Sequence, residues 1–198
     1  LLSSSMIAAD SLESAFKEGK VSGQIRTFWI ERDYSKSSSG KYERDGTALG
    51  GKFGFETAPL YGISAGAVFY TSNKLDDMSA LTATSRDDKT LFANNGDSYT
   101  LLGQAYLQAK LGNTSLKIGR QQLDTPMAGS DDARMIPNLF EAAVVTNTDI
   151  KDLTVVAAHV WNEAIGSFSN GYAANNKLAA QAGYGLGIGI ATGSDITG

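Results

Sequence analysis

YTLLGQAYLQAKLGNTSLKIGRQ, residues 99–121, decides the fold. Leu101, Ala105, Leu107, Ala109 and Leu111 fall at odd positions, and Gln104, Tyr106, Gln108 and Lys110 at even ones. A period of two sorts side chains onto the two faces of a strand, whereas a helix would scatter them around its surface. After LGNT the alternation resumes, with Leu116 and Ile118 set against Ser115, Lys117 and Gln121. Two such runs across a tight turn read as a β-hairpin with one apolar and one polar face.

The same period recurs in both directions along the chain. A first strand over 21–30 sets Val21, Gly23, Ile25, Thr27 and Trp29 against Ser22, Gln24 and Arg26. A second, 47–57, sets Leu49, Phe53 and Phe55 against Ala48, Lys52 and Glu56, and a third, 61–71, sets Ile63, Ala65, Ala67 and Phe69 against Ser64, Gly66 and Tyr70. The hairpin supplies strands four (99–111) and five (114–122). Strands six (139–147) and seven (152–162) are apolar on both faces. An eighth, 178–191, alternates Ala180, Ala182, Tyr184, Leu186, Ile188 and Ile190 with Gln181 and four glycines. Residues 10–19 form a short helical turn that Asp10 or Ser11 can cap and Gly19 can end.

The connections alternate in length. ERDYSKSSSGKYERDG, the stretch 73–98, LDTPMAGSDDARMIPN and NEAIGSFSNGYAANN are long; APLYG, LGNT and TNTDIKD are short. Strict segregation of loop length by end is the pattern of an up-and-down antiparallel barrel in a membrane, where one side carries tight turns. Soluble sandwiches and lipocalins have no reason for it. Which face looks inward is not decided by alternation alone, but a face of Gln, Lys, Arg, Ser, Gly and Tyr suits a wide, wet lumen. Trp29, Phe55, Phe69, Tyr99 and Trp161 lie near strand ends, as an interfacial girdle requires.

Composition closes off other classes. The 198 residues are 42% hydrophobic and 19% charged, which excludes a disordered chain, and no apolar run is long enough for a transmembrane helix. A net charge of −4 argues against nucleic acid as partner, and the absence of Cys removes thiol and zinc-thiolate chemistry. His159 is the only histidine, so no multi-His metal site exists, and no nucleophile elbow accompanies it. GYGLGIG at 183–189 repeats Gly every second residue with no helix following, unlike a dinucleotide loop. No cofactor and no catalytic residue is expected. The opening LLSSSMIAAD reads as the tail of a secretory signal over 1–9, and ATGSDITG stops just after an alternating run, so the chain reads as truncated at both ends.

KEGKVSGQIRTFWIERDY, GTALGGKFGFETAPLYGISAGAVFY and QAYLQAKLGNTSLKIGRQQLDTP…SDDARMIPNLFEA together resemble the OprD-type outer-membrane porins, also called the Occ substrate-specific channels. The likeness covers most of 16–163 and is most specific at Asp132, Arg134 and Pro137, followed by Phe140. It implies a transmembrane β-barrel of roughly 18 strands, of which 10–198 would be the N-terminal eight or so. It implies passive diffusion of small solutes, carboxylates or amino acids among them, through an outer membrane of a Gram-negative bacterium, with membrane lipid and, for many members, a homotrimer as further partners. Two other classes stay open: a barrel serving as a structural protein or adhesin through its long loops, and an outer-membrane hydrolase.

In porins of this kind the third outer loop folds into the lumen. The resemblance therefore implies that 123–138 is that loop and that Asp124, Asp131, Asp132 and Arg134 lie at the constriction. Fixed charges count there because low-dielectric walls focus the field, and the planar fork of Arg can grip a carboxylate. Pro126 and Pro137 stiffen the loop ends. The plainer reading has Asp132 and Arg134 pair with each other to pin the loop. The polar faces are also biased in sign: Arg26, Lys52, Lys110 and Lys117 stand against Glu56, while Asp76, Asp77, Asp87, Asp88 and Asp97 collect in an outer loop. A basic wall favours anions. Arg120 breaks the pattern, sharing parity with Leu116 and Ile118; a bulge at Gly119, or the strand clearing the bilayer, would resolve it.

Overall fold

Ser11 starts the helix that the N-terminal segment forms. Its hydroxyl accepts the backbone N–H of Ser14, and the Ser14 hydroxyl accepts that of Ser11, a reciprocal capping box that opens α1 (Leu12–Lys17). In a computed structural model that describes residues 9–33, 43–75, 91–92, 98–164 and 196–197, the chain then enters one antiparallel sheet. The strands are β1 (Lys20–Asp33), β2 (Glu43–Glu56), β3 (Ile63–Lys74), β4 (Tyr99–Leu111), β5 (Thr114–Gln121), β6 (Leu139–Asn147), β7 (Val155–Ala164) and β8 (Ile196–Thr197). Each pairs with its sequence neighbours in the order β1 to β8. This is the up-and-down meander that the alternating pattern predicts. The eighth strand expected at 178–191, the GYGLGIG run and segment 1–8 lie outside the described residues.

Register puts the two faces where parity predicts them through most of the sheet. Val21 faces Phe55, Phe53 faces Phe69, Ala65 faces Leu107 and Leu107 faces Ile118. These side chains form a continuous apolar surface that is largely uncovered: Ile25 is 87% exposed, Phe53 55% and Leu107 53%. So much uncovered apolar surface has no place in water, and lipid is its natural solvent. The opposite face carries Arg26, Lys52, Tyr70, Gln104, Tyr106, Gln108, Lys110 and Lys117.

Two departures have local causes. Val68 pairs with Gln104 but Phe69 with Leu102, so Gly103 is an extra residue, a β-bulge that reverses parity for 99–102. Leu101 and Tyr99, expected on the lipid face and in the girdle, therefore turn inward and pack with Tyr70, Ile136 and Leu139. The glycine is required, because the Tyr70 ring lies where a Cβ at 103 would sit, 2.4 Å away. The second is a matter of composition rather than register, a charge at Arg120 on the apolar face; the other register shift of the sheet falls between Glu141 and Ala142. No register shift occurs at Gly119, and Arg120 stays on the outward face opposite Ala105 and Glu141. At the loop end of β5 it pairs with Glu141 at 3.1 Å, and Asn162 donates to the same carboxylate at 3.3 Å. The charge is met by a partner rather than turned by a bulge.

Candidate functional site

The inward face of β1 to β7 is crossed by the segment joining β5 to β6. It leaves the sheet at Gln122 and closes a small turn in which Asp124 accepts from the backbone N–H (3.0 Å) and hydroxyl (2.6 Å) of Ser130. Pro126 occupies the tip of that turn, and Ala128 N–H donates to the Thr125 hydroxyl. The chain then kinks at Asp131, whose φ of 39° lies in the left-handed region that Asp tolerates better than most residues. Beyond it Met135, Ile136, Pro137 and Asn138 are all buried.

Three apolar clusters hold this segment against the wall. Met135 packs with Ala48, Leu91, Phe92, Phe28 and Ile30; Ile136 packs with Tyr70, Leu139, Val68, Tyr99 and Leu101; Leu123 and Ala128 pack with Phe140, Ala142 and Val160. Burial of several such side chains, at roughly 1.5–3 kcal/mol each, offsets the entropy of ordering the loop. Gly50 allows a close approach first of β3, the Thr71 carbonyl oxygen being 2.0 Å from where its Cβ would be, and then of the Met135 methyl at 3.0 Å. Beneath the loop, then, the inward wall is dry rather than uniformly wet.

A charge pair supplies the remaining anchor. Arg26 of β1 grips Asp132 with both ends of its fork, Nη1 to Oδ1 at 2.7 Å and Nη2 to Oδ2 at 2.9 Å, and also donates to the Arg134 carbonyl. The pin foreseen between Asp132 and Arg134 is thus made by Asp132 with Arg26 instead. Strand β1 is over a hundred residues from the loop in sequence, and no local pattern announces such a partner. The Arg134 guanidinium lies over the Phe28 ring, 5.2 Å from its centroid, with Nη1 donating to the Ala133 carbonyl at 2.9 Å. Asp131, Asp132, Ala133 and Arg134 form the partly exposed rim of the loop, while Asp124 is committed to its internal turn.

Below the loop, toward the short turns, the wall residues read as basic occupy one face. Lys52 sits between Gln24 and Tyr70, and Lys110 lies opposite Ser115. Lys117 is engaged: its ammonium stands 3.6 Å from the centre of the Tyr106 ring, and the Tyr106 hydroxyl donates to Glu56 at 2.7 Å. Gly66 makes this possible by leaving the Tyr106 ring room to lie flat across β3. Arg26 is not a free wall cation either, since Asp132 holds it.

Leu91 and Phe92 lie in the stretch 73–98, read from the sequence as a loop, yet join the wall cluster. Both are fully buried against Ala48 and Met135, with the Ser72 hydroxyl donating to the Leu91 carbonyl at 2.8 Å. Part of the loop between β3 and β4 thus also folds inward. The signal was the even parity of Phe28, Ile30 and Ala48, apolar residues on an otherwise polar face. His159 is exposed on the outward face beside Trp161, with ring centroids 6.1 Å apart.

A meander with a lipid-facing exterior, a polar inner face and a loop laid across that face defines a β-barrel of the outer-membrane porin class. Residues 14–178 match the family model described as outer membrane porin, OprD family, and the chain belongs to that family. Its place is the bacterial outer membrane, and the family is one of porins rather than enzymes. Among solved structures it is similar to OccK9 (OpdG) of Pseudomonas aeruginosa, at 21% identity and a TM-score of 0.64 over 77% of this chain and 40% of that one. It is also similar to OccAB1 of Acinetobacter baumannii (20% identity, TM-score 0.62, 78% and 37% of the two chains). A BenF-like porin from Pseudomonas fluorescens Pf-5 gives 18% identity and a TM-score of 0.62 over 78% and 40%. The chain therefore spans about two fifths of the length of these structures. No curated protein matches it.

Proposed function

We propose that this chain forms part of the wall and constriction of a channel through which small carboxylate-bearing solutes diffuse passively. One observation carries the reading: the segment 122–138 lies across the polar face, tied to β1 by Arg26 and Asp132, with Asp131 and Arg134 at its partly exposed rim. In this reading Arg134 meets the solute carboxylate and Asp131 disfavours wrong charge. Asp132, Asp124 and Arg26 hold the loop in place. Lys52 and Lys110 attract anions along the wall, and Lys117 does so less because Tyr106 and Glu56 share its charge. OpdK of Pseudomonas aeruginosa, a further structural neighbour, has been solved with vanillate, and a carboxylate is what a cationic wall favours.

The test uses full-length protein in planar bilayers under a salt gradient. Lys52→Gln with Lys110→Gln should move the reversal potential toward cation preference, and Arg134→Ala should change conductance or anion preference further. An unaltered reversal potential in the lysine variant removes the basic wall from the mechanism, and an Arg134→Ala channel with both conductance and reversal potential unaltered removes the Arg134 contact.

A further inference from the structure

Helix α1 does not hang free below the barrel. Ala15 is buried against Ala9, Ala58 and Leu60, its carbonyl accepts the Ala58 N–H at 2.8 Å, and Ala9 N–H donates to the Pro59 carbonyl at 2.9 Å. These contacts clip the segment to the turn between β2 and β3. Phe16 reaches further, stacking on Phe55 with ring centroids 5.9 Å apart and planes 11° from parallel. Phe55 belongs to the outward, lipid-facing surface, opposite Val21. The segment thus crosses the outside of the sheet at its short-turn end. Gly19 permits the crossing, since a Cβ there would lie 2.4 Å from the Phe55 ring.

The helix leaves two large apolar side chains uncovered. Leu12 is 66% exposed and Phe16 56%, four residues apart and therefore on one face. Glu13 and Lys17, paired at 2.6 Å, occupy the neighbouring face. Leu12 and Phe16 are continuous with Phe55 and Val21, which is itself 65% exposed, so the barrel's apolar surface extends downward onto the helix.

We infer that α1 is an interfacial anchor whose Leu12–Phe16 face lies in the periplasmic leaflet of the outer membrane, with phospholipid as its partner. An amphipathic turn with its polar residues toward water and its apolar ones at the headgroup–acyl boundary is what such a surface accepts. Pinned by Ala15 and Phe16, it would fix the depth at which the β2–β3 turn sits. This rests on the outward face meeting lipid and is independent of which solute passes.

The experiment places nitroxide labels on the full-length protein in phospholipid vesicles, one at a time, at Leu12→Cys, Phe16→Cys, Glu13→Cys and Ile25→Cys. Collision with oxygen is compared with collision with a water-soluble nickel chelate, and retained heat-resistant mobility on gels shows that each variant is folded. Labels at 12, 16 and 25 should favour oxygen several-fold over the label at 13. Labels at 12 and 16 that favour nickel, or are shielded from both probes, overturn the anchor. Failure at 25 as well would instead strike at the lipid-facing sheet.

Discussion

Gly51→Val is expected to prevent the full-length protein from forming its barrel, read as loss of the heat-resistant folded band on gel electrophoresis. Gly51 lies inside β2, opposite Ile25, with a φ of 134° that only glycine adopts without strain. Strain alone costs roughly 1–3 kcal/mol. A Cβ at this position would lie 1.9 Å from the Gln24 carbonyl oxygen and 3.1 Å from the Ile25 Cα. Backbone cannot rotate away as a side chain can, so β1 and β2 would have to separate. Gly112→Ala is the matched control, because its φ of 59° is also positive but nothing lies within 4 Å of its Cβ. That change should cost about 1 kcal/mol and leave the barrel intact. A Gly51→Val protein folded to the parental level would show that the tight β1–β2 contact is not obligatory.

Arg26→Ala should loosen the loop without unfolding the sheet. The bidentate grip on Asp132 is partly screened, the Arg26 and Asp132 side chains being 18% and 29% exposed. Its loss is therefore put at on the order of 2 kcal/mol, in the range for hydrogen bonds to charged groups. The apolar clusters around Met135 and Ile136 remain, so the loop should fluctuate at its rim rather than leave the wall. Single-channel recordings should show higher and noisier conductance. Arg26→Lys should restore only part of the parental behaviour, since an ammonium cannot match both carboxylate oxygens. Equal conductance in all three proteins would mean that packing alone positions the loop.

Strand order, the two faces and the capping of α1 were legible in the sequence because they depend on local rules: parity, loop length and a hydroxyl three residues from its partner. The crossing loop was legible only through the family resemblance, which rested on Asp132, Arg134 and Pro137. What the sequence concealed was long-range or depended on one residue. Gly103 reverses the parity of Tyr99 and Leu101 without altering their composition. Arg26 has the spacing of a wall cation and serves as a loop anchor, because its partner lies across the sheet. Lys117 likewise looks available until Tyr106 is seen lying over Gly66 beneath it. Arg120 looked like an error of register and is an ion pair.

That residues 131–134 border the path of solute is tested most directly at Asp131, which sits on the rim with its side chain partly exposed. A full-length Asp131→Cys protein, otherwise free of Cys, would be recorded in a planar bilayer while a negatively charged thiol reagent is added, with labelling confirmed by mass. Modification should lower the single-channel current by about a third or more, as added bulk in a narrow wet passage must. A thiol that is fully labelled while the current stays unchanged would place this loop away from the conducting path.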